Sequence, residues 1–541
     1  METNKTHKQS LQTMFVKREY LKSTVDRFNG CIMRRNLSKK LKVLFVCAEV
    51  APFSSVGGLS QVAHFLTRSL KKLGVDVRIF TPKYGLVDPS KYPTKTIISS
   101  LKIPTGEGTN IDCAVELYQP TKGDAPVYFL VNEEYYQKRA NVYNYNDDHI
   151  RFSLLSKAAL EFIKTGDFIP DLIHANDWHT GYLIDFLKND DNYKKDPTLK
   201  KISTLLSIHN IYQGTFDFAN ANEMDFDDGK SQLAPIFSDK LIKQNSLKRG
   251  VMYADIVNTV SQTYVQELLN AEYGGGLENL FRELRGKLYG VLNGLDTTDF
   301  NPTADEMIKQ KFSSNSLNLR TANKLDLQER FNLKNDPEVP LICYVGRLDL
   351  QKGLDLLVKE FEYIVQDLGV QFIIAGSGEQ NFVEFFSKME KKYPGQVGTH
   401  LIRDFSLPRK VLAGSDMILI PSKYEPGGII AIEALRYGCI PIAHATGGLA
   451  DSVIDYDPKS GTGYGFTFKS FVPEGLLTAV VRAIETYKNL PSWKIVIRRA
   501  MVADFSWKKS AQKYINLYQK AQELHTNNLS PNTSTDRPLY S

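Results

Sequence analysis

The sequence predicts an α/β protein made of two doubly wound, Rossmann-like parallel-sheet domains facing a central cleft. Three observations point there. The chain has 541 residues, roughly three to four times a typical ~150-residue domain, too many for one hydrophobic core. Short apolar runs alternate with helix-length amphipathic segments, the chain order of a parallel sheet. The alternation also runs twice, once from Lys42 to about residue 300 and again from about residue 339.

The first series opens with the apolar run Val43–Cys47 and a break at Gly57–Gly58. Leu59, Val62, Phe65, Leu66, Leu70 and Leu73 then follow at helical spacing. Further strands are expected at Val75–Phe80, Leu172–Ala175, Thr204–Ile208, Ile256–Val260 and Gly290–Leu292, with a helix at Ser153–Thr165. The second series has strands at Leu341–Val345, Gln371–Ala375, Met417–Ile420 and Ile440–Ala443, with helices at Gly353–Val365 and Gly428–Tyr437. Domains are therefore expected at 42–300 and 339–503. Residues 301–338, polar and punctuated by Asn-Pro and Asp-Pro, read as a helical connector. A last helix is expected within 504–524, followed by a disordered Asn/Ser/Thr/Pro-rich tail at 525–541.

A composition of 42% hydrophobic and 24% charged residues fits a globular chain. No apolar run approaches the ~18–20 residues that cross a bilayer, and the first residues lack a secretory apolar core. The cytoplasm is the expected location, with no membrane partner. Residues 1–42 hold eleven Lys/Arg against three Asp/Glu, a surplus of 8 that exceeds the chain's net +6 and leaves the remainder at −2. Such a body argues against a nucleic-acid groove. The basic residues 1–41 read as a disordered extension or an upstream start; an organellar, for instance plastid, transit segment is the alternative. Cys31, Cys47, Cys113, Cys343 and Cys439 are too scattered for a zinc site or a disulfide framework.

Ligands of such sheets bind beyond the carboxyl ends of the strands, and the polar motifs fall there. Neither half carries G-x-G-x-x-G after its first strand; Gly376-Ser-Gly378 lacks the third glycine, and there is no Walker A sequence. No cofactor and no metal are expected. Gly57 and Gly58 sit where backbone amides approach an anion at a helix start. His174-Ala-Asn-Asp177-Trp178-His179 and Ile208-His209-Asn210-Ile-Tyr-Gln213-Gly214 end two successive strands. In the second half, Arg347 and Lys352 leave the first strand as a cation pair able to neutralise a diphosphate leaving group without a metal. Glu425 and Glu433 frame Gly427-Gly428, and the amides of Gly428, Ile429 and Ile430 are available to a phosphate.

Taken in order, these motifs resemble the bacterial glycogen synthase and plant starch synthase family over about residues 42–523. The series also includes Thr259–Tyr264, Leu292–Asp296, Glu425-Pro-Gly-Gly, Thr446–Asp451 and the closing Asp504-Phe-Ser-Trp507. The resemblance implies the GT-B fold and a retaining transfer of glucose from a nucleotide sugar, usually ADP-glucose, to the non-reducing end of an α-1,4-glucan. It implies that Arg347 and Lys352 stabilise the diphosphate, that Glu425 serves the donor sugar, and that His179 holds the donor glucose. Asn293 would contact the sugar, while Asp147, His209, Asn210 and Gln213 would line the acceptor side. In wider relatives a glutamate at the position of Glu433 holds the ribose.

Some positions depart from the family pattern. Ser55 stands where the family has a phosphate-binding lysine, with Lys83 as a candidate substitute. Gly427 replaces a frequent cysteine, Gln262 a frequent proline and Glu433 an aromatic residue common in bacterial members. A GT-B transferase with another donor, such as UDP-glucose, or another acceptor therefore stays open, as does a weakened glucan-binding homologue. The oligomeric state is not legible.

Overall fold

The computed structural model describes residues 40–121, 123–211, 228–404 and 406–529. The first series forms a nine-stranded sheet of β1 (Lys42–Val46), β2 (Asp76–Pro82), β3 (Lys95–Pro104), β4 (Asn110–Tyr118), β5 (Val127–Val131), β6 (Leu172–Asn176), β7 (Ser203–Ile208), β8 (Ile256–Thr259) and β9 (Leu288–Gly290). Their order is β3-β4-β5-β2-β1-β6-β7-β8-β9. The second sheet contains β10 (Leu341–Val345), β11 (Gln371–Ala375), β12 (Val397–His400), β13 (Met417–Ile420), β14 (Ile440–His444) and β15 (Phe466–Phe468), ordered β12-β11-β10-β13-β14-β15. The direction of winding reverses between β1 and β6 and between β10 and β13, where a crevice opens at the strands' carboxyl ends.

The two faces of β1 serve two cores: Leu44 and Val46 pack on one side of the sheet, Val43 and Phe45 on the other. Burial on both faces is why central strands such as β1, β10 and β13 read as apolar runs. The exceptions are β3 and β4, which pair antiparallel at the sheet edge and carry exposed partners such as Lys102 and Asp112, 2.7 Å apart. With one face in water they have no such run, and the expected series omits them.

Several boundaries move. The strand expected at Gly290–Leu292 ends at Gly290, because the chain turns into a joint with residues 504–510. There Leu295 N donates to Phe505 O at 2.7 Å, Ser510 Oγ to Leu292 O at 2.7 Å, and a Cβ at Gly294 would lie 2.5 Å from Trp507 Cα. The stretch expected as a connector packs into the second lobe instead: Ile308, Phe312, Leu327 and Phe331 join its core, and Lys324 pairs with Asp416 at 2.7 Å. The last helix runs Trp507–Leu529, past the expected start of the tail, because His525 is buried, with its Nε2 2.9 Å from Lys200 O. Residues 1–39 and 530–541 lie outside the described residues.

That last helix returns from the second lobe to the first. Trp507, Ala511, Tyr514, Tyr518 and Ala521 cover the face of the first sheet that carries Val43 and Phe45. Tyr518 Oη lies 2.8 Å from His174 Nδ1, whose Nε2 meets Ser207 Oγ at 2.7 Å, so this histidine is a core strut rather than a ligand group. Tyr518→Phe, which orphans one buried nitrogen, is expected to cost about 1–2 kcal/mol. Tyr518→Ala, which also opens a cavity, is expected to cost about 3–5 kcal/mol. Denaturant midpoints of the purified variants check both.

Candidate active site

A cavity of about 690 Å³ lies between the lobes, walled by the carboxyl ends of β1, β6 and β7 on one side and of β10 and β13 on the other. His179, His209 and Asn210 line it from the first lobe, with Asn293 at the joint. Arg347, Lys352, Glu425, Gly428, Ile429, Ile430 and Glu433 line it from the second. The volume is that of an ordinary small-molecule site.

On the second-lobe wall, β10 delivers the loop carrying Arg347 and Lys352. Gly353 ends that loop at φ +69°, and a Cβ there would sit 1.9 Å from Pro421 O. Only glycine lets the loop close on the end of β13. The closure sets Lys352 Nζ 2.5 Å from Glu425 Oε2, which also accepts from Ser422 Oγ at 3.0 Å. Arg347 sits at the mouth, its guanidinium 2.8 Å from Asp349 and 3.0 Å from Gln351. After Glu425, Gly428 takes φ +58° and starts the helix Ile429–Arg436; as a glycine it offers the first amides no side-chain cap. Glu433, inside that helix, has its carboxyl pushed up to about 7 by burial, against the pull of Arg409.

On the first-lobe wall, His179 is buried against Trp178, Tyr143 and Phe152, with ring centroids 4.2, 4.8 and 4.7 Å away. Burial, reinforced by Arg151 and His209, holds its pKa well below the usual imidazole range, so it is a neutral hydrogen-bonding group. Its Nδ1 has no partner among the described residues. His209 is held by Asn176 Oδ1 at 2.9 Å, with its pKa lowered to about 4 by burial, and its backbone N donates to Asp177 Oδ1 at 2.7 Å. The ends of β6 and β7 are thereby tied together. Asn293 keeps a buried Oδ1 that is likewise unpartnered among the described residues, and a Cβ at Gly427 would lie 2.8 Å from its Nδ2. The lobes approach so closely there that a cysteine would have to displace the amide.

Five expectations need correction or fall elsewhere. The Gly57–Gly58 loop lines the cavity, but its anion is internal: the carboxylate of Glu49 accepts from Val56 N at 2.6 Å and from Gly57 N at 3.2 Å. Burial of Glu49 raises its pKa to about 7. Ser55 is outside the cavity wall and bonds Ser60 Oγ at 2.9 Å. Lys83 is not a substitute for the missing lysine, since it is tied to Glu116 and to Thr94 at 3.1 Å. Asp147 pairs with Arg139 at 2.7 Å, and the acid on the wall is its neighbour Asp148, buried on Arg151. Gln213 lies outside the described residues. Glu49, Tyr143, Asp148 and Ser422 are wall residues that the motifs did not single out. Glu49 follows the first strand, and that position was its only signal.

Comparison with known proteins agrees with this geometry. Residues 42–283 match the family model described as starch synthase catalytic domain, and residues 326–493 match that of glycosyl transferases group 1. A glycogen synthase of Thermosipho melanesiensis is 39% identical over 486 residues, covering 89% of this chain and 99% of its own. One of Clostridium novyi is 36% identical over 491 residues, covering 88% and 98%. The catalytic domain of starch synthase IV from Arabidopsis thaliana, bound to ADP and acarbose, superposes with a TM-score of 0.78 at 30% identity, over 90% of this chain and all of that one. Two parallel-sheet lobes around one cleft, matched along nearly their full length, place the chain in the glycogen synthase and starch synthase family of GT-B glycosyltransferases.

Proposed function

We propose that the protein is a glycogen/starch synthase that moves glucose from ADP-glucose to the non-reducing end of an α-1,4-glucan with retention at the anomeric carbon. The observation that carries this reading is the meeting, in one cavity, of His179 from the first lobe with Arg347, Lys352 and Glu425 from the second. The bond from the anomeric carbon to the diphosphate breaks as the acceptor hydroxyl bonds to the same face. The acceptor's proton passes to the departing diphosphate oxygen. Arg347 and Lys352 meet the charge that grows there, an interaction stronger in the transition state than in the ground state. The first amides of the helix at Ile429, with Gly428, take the phosphates, and Glu433 takes the ribose. Glu425 orients Lys352 and serves the donor sugar, while neutral His179 and Asn293 hold the glucose hydroxyls. His209 and Asn210, with Asp148, face the acceptor. The reading puts the protein in the cytoplasm, where a nucleotide sugar is at hand. No helix among the described residues is long and apolar enough to cross a membrane.

Label from ADP-glucose, but much less from UDP-glucose, is expected to enter glycogen when each is incubated with the purified protein. Hydrolysis of donor without incorporation would overturn the reading. Lys352→Ala is expected to lower kcat by about 10²–10³ with an unchanged unfolding midpoint, and normal transfer would remove the leaving-group role. Ser55→Lys is expected to lower the donor KM up to about tenfold, one added charge-assisted contact. Because the carboxyl of Glu433 titrates near 7, it loses its charge as pH falls through that value, and ribose hydroxyls lose an anionic acceptor. The donor KM is thus expected to rise between pH 8 and pH 6, with Glu433→Gln flattening the profile.

A further inference from the structure

The chemistry proposed above leaves two motifs unused, Thr259–Tyr264 at the end of β8 and Thr446–Asp451 after β14. They meet across the interlobe boundary. The helix Gln262–Leu268 of the first lobe begins with its amides on Asp451 of the second: Gln262 N and Thr263 N donate to Asp451 Oδ2 at 2.6 and 3.2 Å, and Thr263 Oγ1 to Oδ1 at 2.6 Å. The helix Gly447–Ser452 of the second lobe begins, reciprocally, on Glu267 of the first: Thr446 Oγ1 and Gly447 N donate to Glu267 Oε1 at 2.7 and 2.9 Å. Each lobe therefore supplies the carboxylate that caps the other's helix.

The far side of this contact is the active site. Gly448 N donates to Glu425 O at 2.9 Å and to Pro426 O at 3.0 Å. Cβ atoms at Gly447 and Gly448 would fall 2.4 Å from the Glu425 carbonyl oxygen and the Gly427 backbone. The segment Thr446–Gly448 thus lies between Glu267 and the Glu425 backbone with no spare space. On the other lobe, Ser261 caps Tyr264 N at 3.1 Å and directly follows Val260, a cavity-wall residue.

We propose that Glu267 and Asp451 are positioning residues: their reciprocal caps set the register between the lobes and thereby fix the Glu425–Gly428 loop opposite His179. Neither side chain touches the cavity, so both act through the backbone they hold. The caps are charge-assisted bonds at one point, and with either one removed that point no longer holds its register. Losing one end is therefore nearly as harmful as losing both. The effect on transfer rests on the synthase reading above, whereas the effect on lobe arrangement does not.

The test uses Glu267→Ala, Asp451→Ala, the double variant and the conservative Glu267→Gln, each in the full chain. Transfer kinetics, unfolding midpoint and small-angle scattering with and without ADP are measured together. Each alanine variant removes every charge-assisted bond its carboxylate accepts and is expected to lose at least about tenfold in kcat, with donor KM changed less than about twofold. The double variant is expected to lose little more than either single one, and Glu267→Gln, which keeps an acceptor oxygen, to recover most of the rate. The radius of gyration of the alanine variants is expected to exceed that of the unsubstituted protein. Unchanged kcat and unchanged scattering would overturn the proposal, as would single losses that simply multiply in the double variant or a rate loss that only tracks a lowered unfolding midpoint. If the unsubstituted protein transfers no glucose, the synthase reading fails, and scattering still decides the positioning role.

Discussion

The chemistry of this molecule is divided between two separately packed cores, so everything depends on how the carboxyl ends of two parallel sheets are held face to face. His179 is rooted in a core of aromatic rings, and Lys352 and Glu425 in another core whose glycines permit nearly touching backbones. Each wall is rigid because its neighbours leave no room. What can vary is the gap, and the contacts that cross it include the joint at Leu295 with Phe505, the close approach of Gly427 to Asn293, and the exchanged caps.

The electrostatics of the cavity follow from which wall is dry. The first-lobe wall buries its histidines neutral, because desolvation disfavours their charged forms and, at His179, the Arg151 guanidinium adds to it. The second-lobe wall keeps its cations beside carboxylates, Lys352 on Glu425 and Arg347 on Asp349, at partly open positions. A diphosphate entering there exchanges one anion for another rather than meeting bare charge. Glu49 fills the corresponding seat on the first-lobe side, where the amides of Val56 and Gly57 already have an anion.

The central strands of both sheets were legible because strands buried on two faces are mostly apolar, and the loops that carry the site lie where glycine and charge interrupt those runs; the short outer strands β12 and β15 of the second sheet were not found. The half-exposed β3 and β4 were not, since their side chains answer to water as much as to the core. β5, Val-Tyr-Phe-Leu-Val, obeys the same rule as β1 and could have been found by it. Within the site, Lys352 and Glu425 were readable from spacing because they flank glycines in the loops that leave β10 and β13, neighbours in the second sheet. Whether Asp147 or Asp148 faces the cavity was not, because adjacent residues near a helix start differ only by a rotation that packing against Arg151 decides. Glu49 was invisible for a related reason: a carboxylate that binds backbone amides seven and eight residues on leaves no pattern of residue types.

The returning helix has a consequence for biosynthesis. Tyr514 and Tyr518 cover Val43 and Phe45, residues made more than 460 positions earlier. At roughly 5–20 residues per second, that apolar surface waits on the order of a minute for its cover. During that interval one face of the nascent first sheet lacks its cover, and the core on that side closes only once the returning helix has been made.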